Sequence, residues 1–362
     1  MNNPHGLTLS AISSHLYFYM TQKMIRIILH AFLSLYPILS FSQLSVPPTD
    51  IYSFMKINSV FRDRIDWTAT DTEFSNCLSV AHSTNDTMNC LVKVLETLED
   101  VHSHIMFNDQ YYGFYHPIDD SIYQRILPLK EKSNLHSGII QTTLLDGNIL
   151  YVLIPSINAY SHVDINRYGQ ALSDSICRYA TKITGFIIDL RLNTGGNVYP
   201  MLAGLHALLG HQVIGYETDN VGTAIRKWEI AEDNLFLEGY QVTQITAQCN
   251  KDFSTTPVVV LIGPMTASSG SMTAIAFKQR PNTLFLGEPT ADGYTTSNGY
   301  FQFAPNLTMN FATNFVADRH MNIYRTFVSP DRIVEGRDDF DHLMEDAKII
   351  TAMKWLKEKP RR

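Results

Sequence analysis

The chain has 362 residues, 45% of them hydrophobic, which is enough to bury one large core and a smaller satellite without metals or a dense disulfide framework. Its formal net charge of −7 comes without long single-sign runs, so no nucleic-acid partner is expected.

The segment 24–42 reads MIRIILHAFLSLYPILSFS: a basic residue, an apolar stretch broken by Pro37, then small residues. That is the pattern of a secretory signal peptide, expected at 1–42 with cleavage near Ser42. A membrane span needs about 20 apolar residues, so no stable span is expected after cleavage; an uncleaved anchor is the alternative. Residues 1–23 precede a complete signal, which points to Met24 as the natural start. An exported protein, periplasmic or extracellular, is therefore expected.

Residues 43–112 read as a helical N-terminal domain, in which Met88, Leu91, Val92, Leu95 and Leu98 recur at three- and four-residue steps. This stripe runs into Asp100, His102, Ser103 and His104, placing a His-bearing loop at the end of a packed helix. A short polar-aromatic connector follows at 113–147. From 148 to 362 the pattern turns to apolar strands (148–155, 185–190, 257–262, 283–286) alternating with helices, which predicts an α/β domain built on a parallel sheet. Insertions at 213–250 and 299–327 read as β-hairpins, and 341–359 as a closing helix.

Cys77, Cys90, Cys177 and Cys249 are too few and too scattered for a disulfide framework, and no CxxC pair suggests zinc or a redox dithiol. Cys77 and Cys90 are close enough to bridge in an oxidising compartment, with buried free thiols as the alternative. No HExxH occurs, and no metal or organic cofactor is expected.

The sharpest chemical feature is 263–271 (GPMTASSGS), between an apolar strand and a helix. Small residues let the chain turn tightly and lift the Ser268 hydroxyl above the strand end, beside the free amides of a helix N-terminus. This is a nucleophile elbow in physical terms, although not the GxSxG of α/β-hydrolases; the plainer reading is a Ser/Thr helix cap. At 189–196 (DLRLNTGG) the paired Gly195 and Gly196 allow a backbone amide to face a reacting carbonyl, or merely a turn with φ > 0. A serine nucleophile needs a base, and His102 and His104 are candidates that spacing alone does not separate.

Taken together, 98–103 (LEDVHS), 188–196 (IDLRLNTGG), 266–270 (TASSG), 277–282 (FKQRPN), 287–290 (GEPT) and 329–331 (SPD) resemble the C-terminal processing, or tail-specific, serine peptidase family, closest to its tricorn-core and interphotoreceptor retinoid-binding branch. The resemblance implies a Clp-protease/crotonase-like α/β core that cleaves peptides or unfolded protein tails, with Ser268 as nucleophile, His102 as general base, and the amides of Gly196 and Ser269 as oxyanion hole, supported by Gly195. Gly293 and Tyr294 occupy the place where many relatives carry a base lysine, so a Ser–Lys dyad is excluded. Where the His-dependent branch has an orienting Glu, this chain has Arg325; Asp100, Asp318 or Glu335 are the candidate substitutes. The interval 104–148 is too short for the peptide-binding PDZ domain of many members. Two rivals stand beside this reading: a degenerate member that binds peptides without cleaving them, and a crotonase-like acyl-transfer enzyme using coenzyme A.

Overall fold

The computed structural model describes residues 44–358, and the expected signal peptide at 1–42 lies outside the described residues. The chain divides at Ser45; the fold below is that of the unit Val46–Arg362.

Three helices come first, α1 (Pro48–Asn58), α2 (Trp67–Ser79) and α3 (Thr84–Thr97). The Asp66 side chain accepts the Thr68 and Ala69 amides at the start of α2, and Ser83 accepts the Asp86 amide at the start of α3, satisfying donors that a helix N-terminus leaves free. Met88, Leu91, Leu95 and Leu98 of the expected stripe are buried, whereas Val92 is only half-buried and Val94 is buried in its stead. The chain then forms β1 (His104–Phe107) and β2 (Gln110–Gly113). The segment expected to close a helical domain is thus a hairpin. The expected connector carries α4 (Asp120–His136) and β3 (Gln141–Leu145). Only Leu129 and Ser133 of α4 are buried and Pro128 sits inside it, so no apolar period announces this helix in sequence.

From there strands and helices alternate: β4 (Ile149–Leu153), α5 (His162–Cys177), β5 (Gly185–Asp189), α6 (Val198–Gly204) and α7 (His206–Leu209). An antiparallel excursion follows through β6 (Val213–Thr218), β7 (Ala224–Ala231), β8 (Asn234–Leu237) and β9 (Tyr240–Gln241). The chain returns with β10 (Val258–Ile262), α8 (Ser269–Phe277) and β11 (Thr283–Gly287), and leaves again through β12 (Thr296–Ala304), β13 (Leu307–Asp318) and β14 (Ile323–Tyr324). It ends with β15 (Arg332–Ile333) and α9 (Ala347–Glu358).

The fold is α/β. Its central sheet has the order β15-β11-β10-β5-β4-β3, parallel except for β3, which runs antiparallel to β4. Successive side chains of a strand face opposite sides, and both sides are covered here. Leu150, Val152, Phe186, Ile188, Val258 and Val260 pack with Leu172 and Ile176 of α5, Met201 of α6 and Ile275 of α8. On the other side Ile149, Tyr151, Ile187, Val259 and Leu261 pack with Leu129 of α4 and with Ile349, Met353 and Leu356 of α9. Each such aliphatic side chain stabilises the fold by about 1.5–3 kcal/mol.

The two insertions and the β1–β2 hairpin together build a second, antiparallel sheet, β2-β1-β13-β6-β7-β8-β9, with β12 and β14 also paired to β13. β1 docks on β13 with His104 opposite Asn310 and Phe107 opposite Leu307. This pairing carries the His loop to the core, across some two hundred residues of sequence.

All four cysteines are paired, which corrects the expectation that they are too scattered. Cys77–Cys90 joins α2 to α3, and Cys177–Cys249, 72 residues apart in sequence, joins the end of α5 to the loop after β9. The distant pair was illegible because only the fold brings those segments together.

Candidate active site

Ser268 sits at the junction of β10 and α8 with φ +52° and ψ −122°, a conformation L residues rarely adopt and one often held at reactive positions. Four hydrogen bonds hold it there. Its amide donates to the Tyr294 carbonyl at 3.0 Å, the Ala267 amide donates to the Asn193 carbonyl at 3.0 Å, and Thr266 Oγ1 both accepts from the Gly263 amide and donates to the Leu190 carbonyl. The side chain remains partly exposed.

Nε2 of His102 lies 2.9 Å from Ser268 Oγ, and Nδ1 lies 2.7 Å from Oγ1 of Thr296. The proton positions follow from the neighbours. Asn298 Nδ2 donates to the His102 carbonyl at 3.1 Å, which leaves Asn298 Oδ1 to accept the Thr296 hydroxyl at 2.8 Å. With its one proton committed, the Thr296 oxygen accepts from Nδ1–H, and Nε2 is left bare to accept from Ser268. Burial holds the imidazole down at about pKa 3, with nearby His104 adding a smaller push in the same direction, so His102 is neutral at physiological pH. The Tyr294 ring meets it edge-on, 5.1 Å between centroids.

Gly195 and Gly196 take φ of +125° and +109°. A Cβ on Gly195 would sit 2.8 Å from Ser268 Cβ, and one on Gly196 would run into the Ile157 carbonyl, so the glycines permit the approach of this loop to the serine. The Gly195 carbonyl accepts the Ile157 amide, and planarity of that peptide turns the Gly196 N–H to the opposite side. Neither the Gly196 nor the Ser269 amide has an acceptor among the described residues. The Ser269 hydroxyl donates to the Gly196 carbonyl at 2.8 Å, tying the two strand-end loops together.

The proposed third members do not reach the imidazole. Asp100 accepts the amides of His102 and Ser103 and the Ser103 hydroxyl, shaping the loop from behind, and burial pushes its carboxyl up to about 6. Asp318 accepts the amides of His320 and Asn322 and the Tyr324 hydroxyl, Glu335 is exposed, and Arg325 stacks on the Phe315 ring. His104 stacks on Tyr111 at 4.7 Å. The residue on Nδ1 is Thr296, which sequence reading missed: Thr296 and Asn298 are ordinary strand residues, and the register shift at 297/298 that accompanies their convergence is visible only in the fold.

The family model of Peptidase family S41 matches residues 148–334, just over half of the chain. The chain belongs to this peptidase family. The S41 match runs from β4 to β15 and takes in Ser268, both glycines, Thr296 and Asn298; His102 lies outside it and joins the site through the β1–β13 pairing. Among relatives, the chain is 33% identical over 188 residues to the nisin-resistance protein of Lactococcus lactis subsp. lactis, a match covering 52% of this chain and 57% of that protein. The matched stretch thus spans little more than half the length of this relative. A lipoprotein structure from Streptococcus agalactiae shares the fold with a TM-score of 0.66 and 24% identity, over 88% of this chain and 99% of that one. A structure from Parabacteroides merdae does so with a TM-score of 0.55 and 16% identity, over 87% and 98%.

Proposed function

We propose that the protein is an exported serine endopeptidase acting through a Ser268–His102 dyad. The observation that carries this reading is the 2.9 Å approach of a bare imidazole nitrogen to a partly exposed serine held at positive φ. His102 takes the Ser268 proton as Oγ attacks a peptide carbonyl. The oxygen of that carbonyl becomes an oxyanion, bound by the amides of Gly196 and Ser269, and His102 then protonates the leaving amine. Water, deprotonated by the same imidazole, releases the acyl group. The likeness to a nisin-resistance protein supports a peptide substrate, and the two disulfides, which persist in oxidising compartments, support export. No helix among the described residues is long and apolar enough to cross a membrane.

A fluorophosphonate probe is expected to label the folded protein at Ser268, and Ser268→Ala to abolish labelling. A folded wild type that resists the probe overturns the proposal. The rival, a peptide-binding member that does not cleave, is favoured by the uncharged partner on Nδ1 and is distinguished by saturable peptide binding with neither an acyl-enzyme burst nor a steady-state rate.

A further inference from the structure

A second cluster of ligating side chains lies outside the Ser268 site. Asp233, in the tight turn between β7 and β8, places Oδ1 2.8 Å from Nε2 of His211 and 3.1 Å from Nδ1 of His206. The three donor atoms all fall within 4.8 Å of one another. His211 is largely exposed, whereas His206 is 2% exposed and its Nδ1 is a buried polar atom with no hydrogen-bond partner among the described residues.

That orphan nitrogen decides between two explanations. An imidazole whose Nδ1–H simply served Asp233 would aim its proton at the carboxylate oxygen, and the 3.1 Å approach here does not have that geometry. A nitrogen aimed beside the carboxylate instead of at it is what a shared cation requires, because both atoms then point at the ion. The other edge of the ring is occupied: Nε2 lies 3.2 Å from the Ser173 hydroxyl of α5, the kind of support that fixes a ligand's tautomer and leaves Nδ1 free to bind. Ligands about 2.0–2.1 Å from a tetrahedral ion stand about 3.3 Å apart; Asp233 Oδ1 stands 2.8 and 3.1 Å from the two nitrogens, which lie within 4.8 Å of each other. The cluster lines a cavity of about 540 Å³ together with Cys249 and Asp252, so an ion has a route in and water has room to complete the coordination.

We propose that His206, His211 and Asp233 form a binding site for one divalent transition-metal ion of the zinc type. Two imidazoles and one carboxylate suit zinc and its neighbours better than calcium or magnesium, which prefer all-oxygen ligands. The ion would clamp α7 to the β7–β8 turn beside the Cys177–Cys249 disulfide. No step of the peptidase scheme passes through it.

The test uses tag-free protein, treated with chelator, dialysed, and titrated with Zn²⁺ by calorimetry, with Co²⁺ as a spectroscopic probe of coordination. One ion per chain is expected, with a rise in melting temperature. His211→Ala at an exposed position and Asp233→Asn, an isosteric change at a half-buried turn position, are not expected to disturb folding and should each weaken binding at least 10-fold and remove the thermal shift. Absence of stoichiometric Zn²⁺ binding by the wild type, or variants that bind as tightly as the wild type, overturns the site. Fluorophosphonate labelling of Ser268 is expected to be the same with and without metal, so failure here is separable from failure of the peptidase reading.

Discussion

Thr296 Oγ1 lies 2.7 Å from His102 Nδ1, in the place where a carboxylate would stabilise the charged imidazole, and it carries no charge. It orients the ring and selects the tautomer through Asn298; in the proposed mechanism it would offer the imidazolium only a dipole. The consequences are measurable.

Thr296→Val removes the acceptor for Nδ1–H while keeping the side-chain shape. A fall in kcat/KM of about 10- to 100-fold, carried mostly by kcat, is expected, because tautomer and ring direction are no longer held. Thr296→Asp puts an anion beside Nδ1 and should raise the imidazole pKa, so the acid limb of the pH–rate profile should move upward. An unmoved profile would show that Nδ1 does not face residue 296 in solution.

The wild-type profile itself should extend far into acid. An ordinary imidazole of pKa 6.5 is only about 3% free base at pH 5. Burial lowers His102 to about 3, so the base form persists there, and labelling rates at pH 5 and pH 7 should be similar while the fold holds. For stability the signs differ between neighbours. A depressed His102 contributes stability above pH 6.5 that is lost as pH falls toward 3, whereas a raised Asp100 contributes below its unfolded value and loses it as pH rises through about 6. Asp100→Asn should therefore remove the loss of stability that this carboxyl contributes as pH rises from 3.8 to about 6, read by urea denaturation across that range.

Gly195→Ala introduces a Cβ 2.8 Å from Ser268 Cβ at φ +125°, which costs about 1–3 kcal/mol in backbone strain alone. Displacing Ser268 matters more to the chemistry. Probe labelling is expected to slow by about 100-fold or more with the melting transition still cooperative.

Arg191, 1% exposed, joins Asp189 at the end of β5 to Asp346 at the start of α9, at 2.6 and 2.7 Å, with Asp338 at 2.5 Å. Arg191→Met leaves buried carboxylates uncompensated and should cost about 3–5 kcal/mol by urea denaturation.

Breaking Cys177–Cys249 frees a loop of 72 residues and should cost about 4 kcal/mol, against about 3 for the 13-residue separation of Cys77–Cys90. Paired Cys→Ala variants compared by denaturant unfolding test the order.

Local pattern determined the α/β class, the strands from 148 onward, the elbow at Ser268 and the glycine pair, since these depend on periodicity and on residues whose conformational range is written in their own chemistry. Helix α4 escaped because it buries almost nothing apolar, and the Cys177–Cys249 pairing because sequence distance carries no information about closure. Spacing left His102 and His104 unseparated and only the family resemblance favoured His102; the meeting of His102 with Thr296, and not with Asp100, Asp318 or Glu335, belonged to the tertiary structure alone. It is made by β1 and β12 both pairing with β13, which sets an imidazole from one segment between a serine and a threonine from two others. Strand register, a property of the assembled sheet, decides which side chains meet.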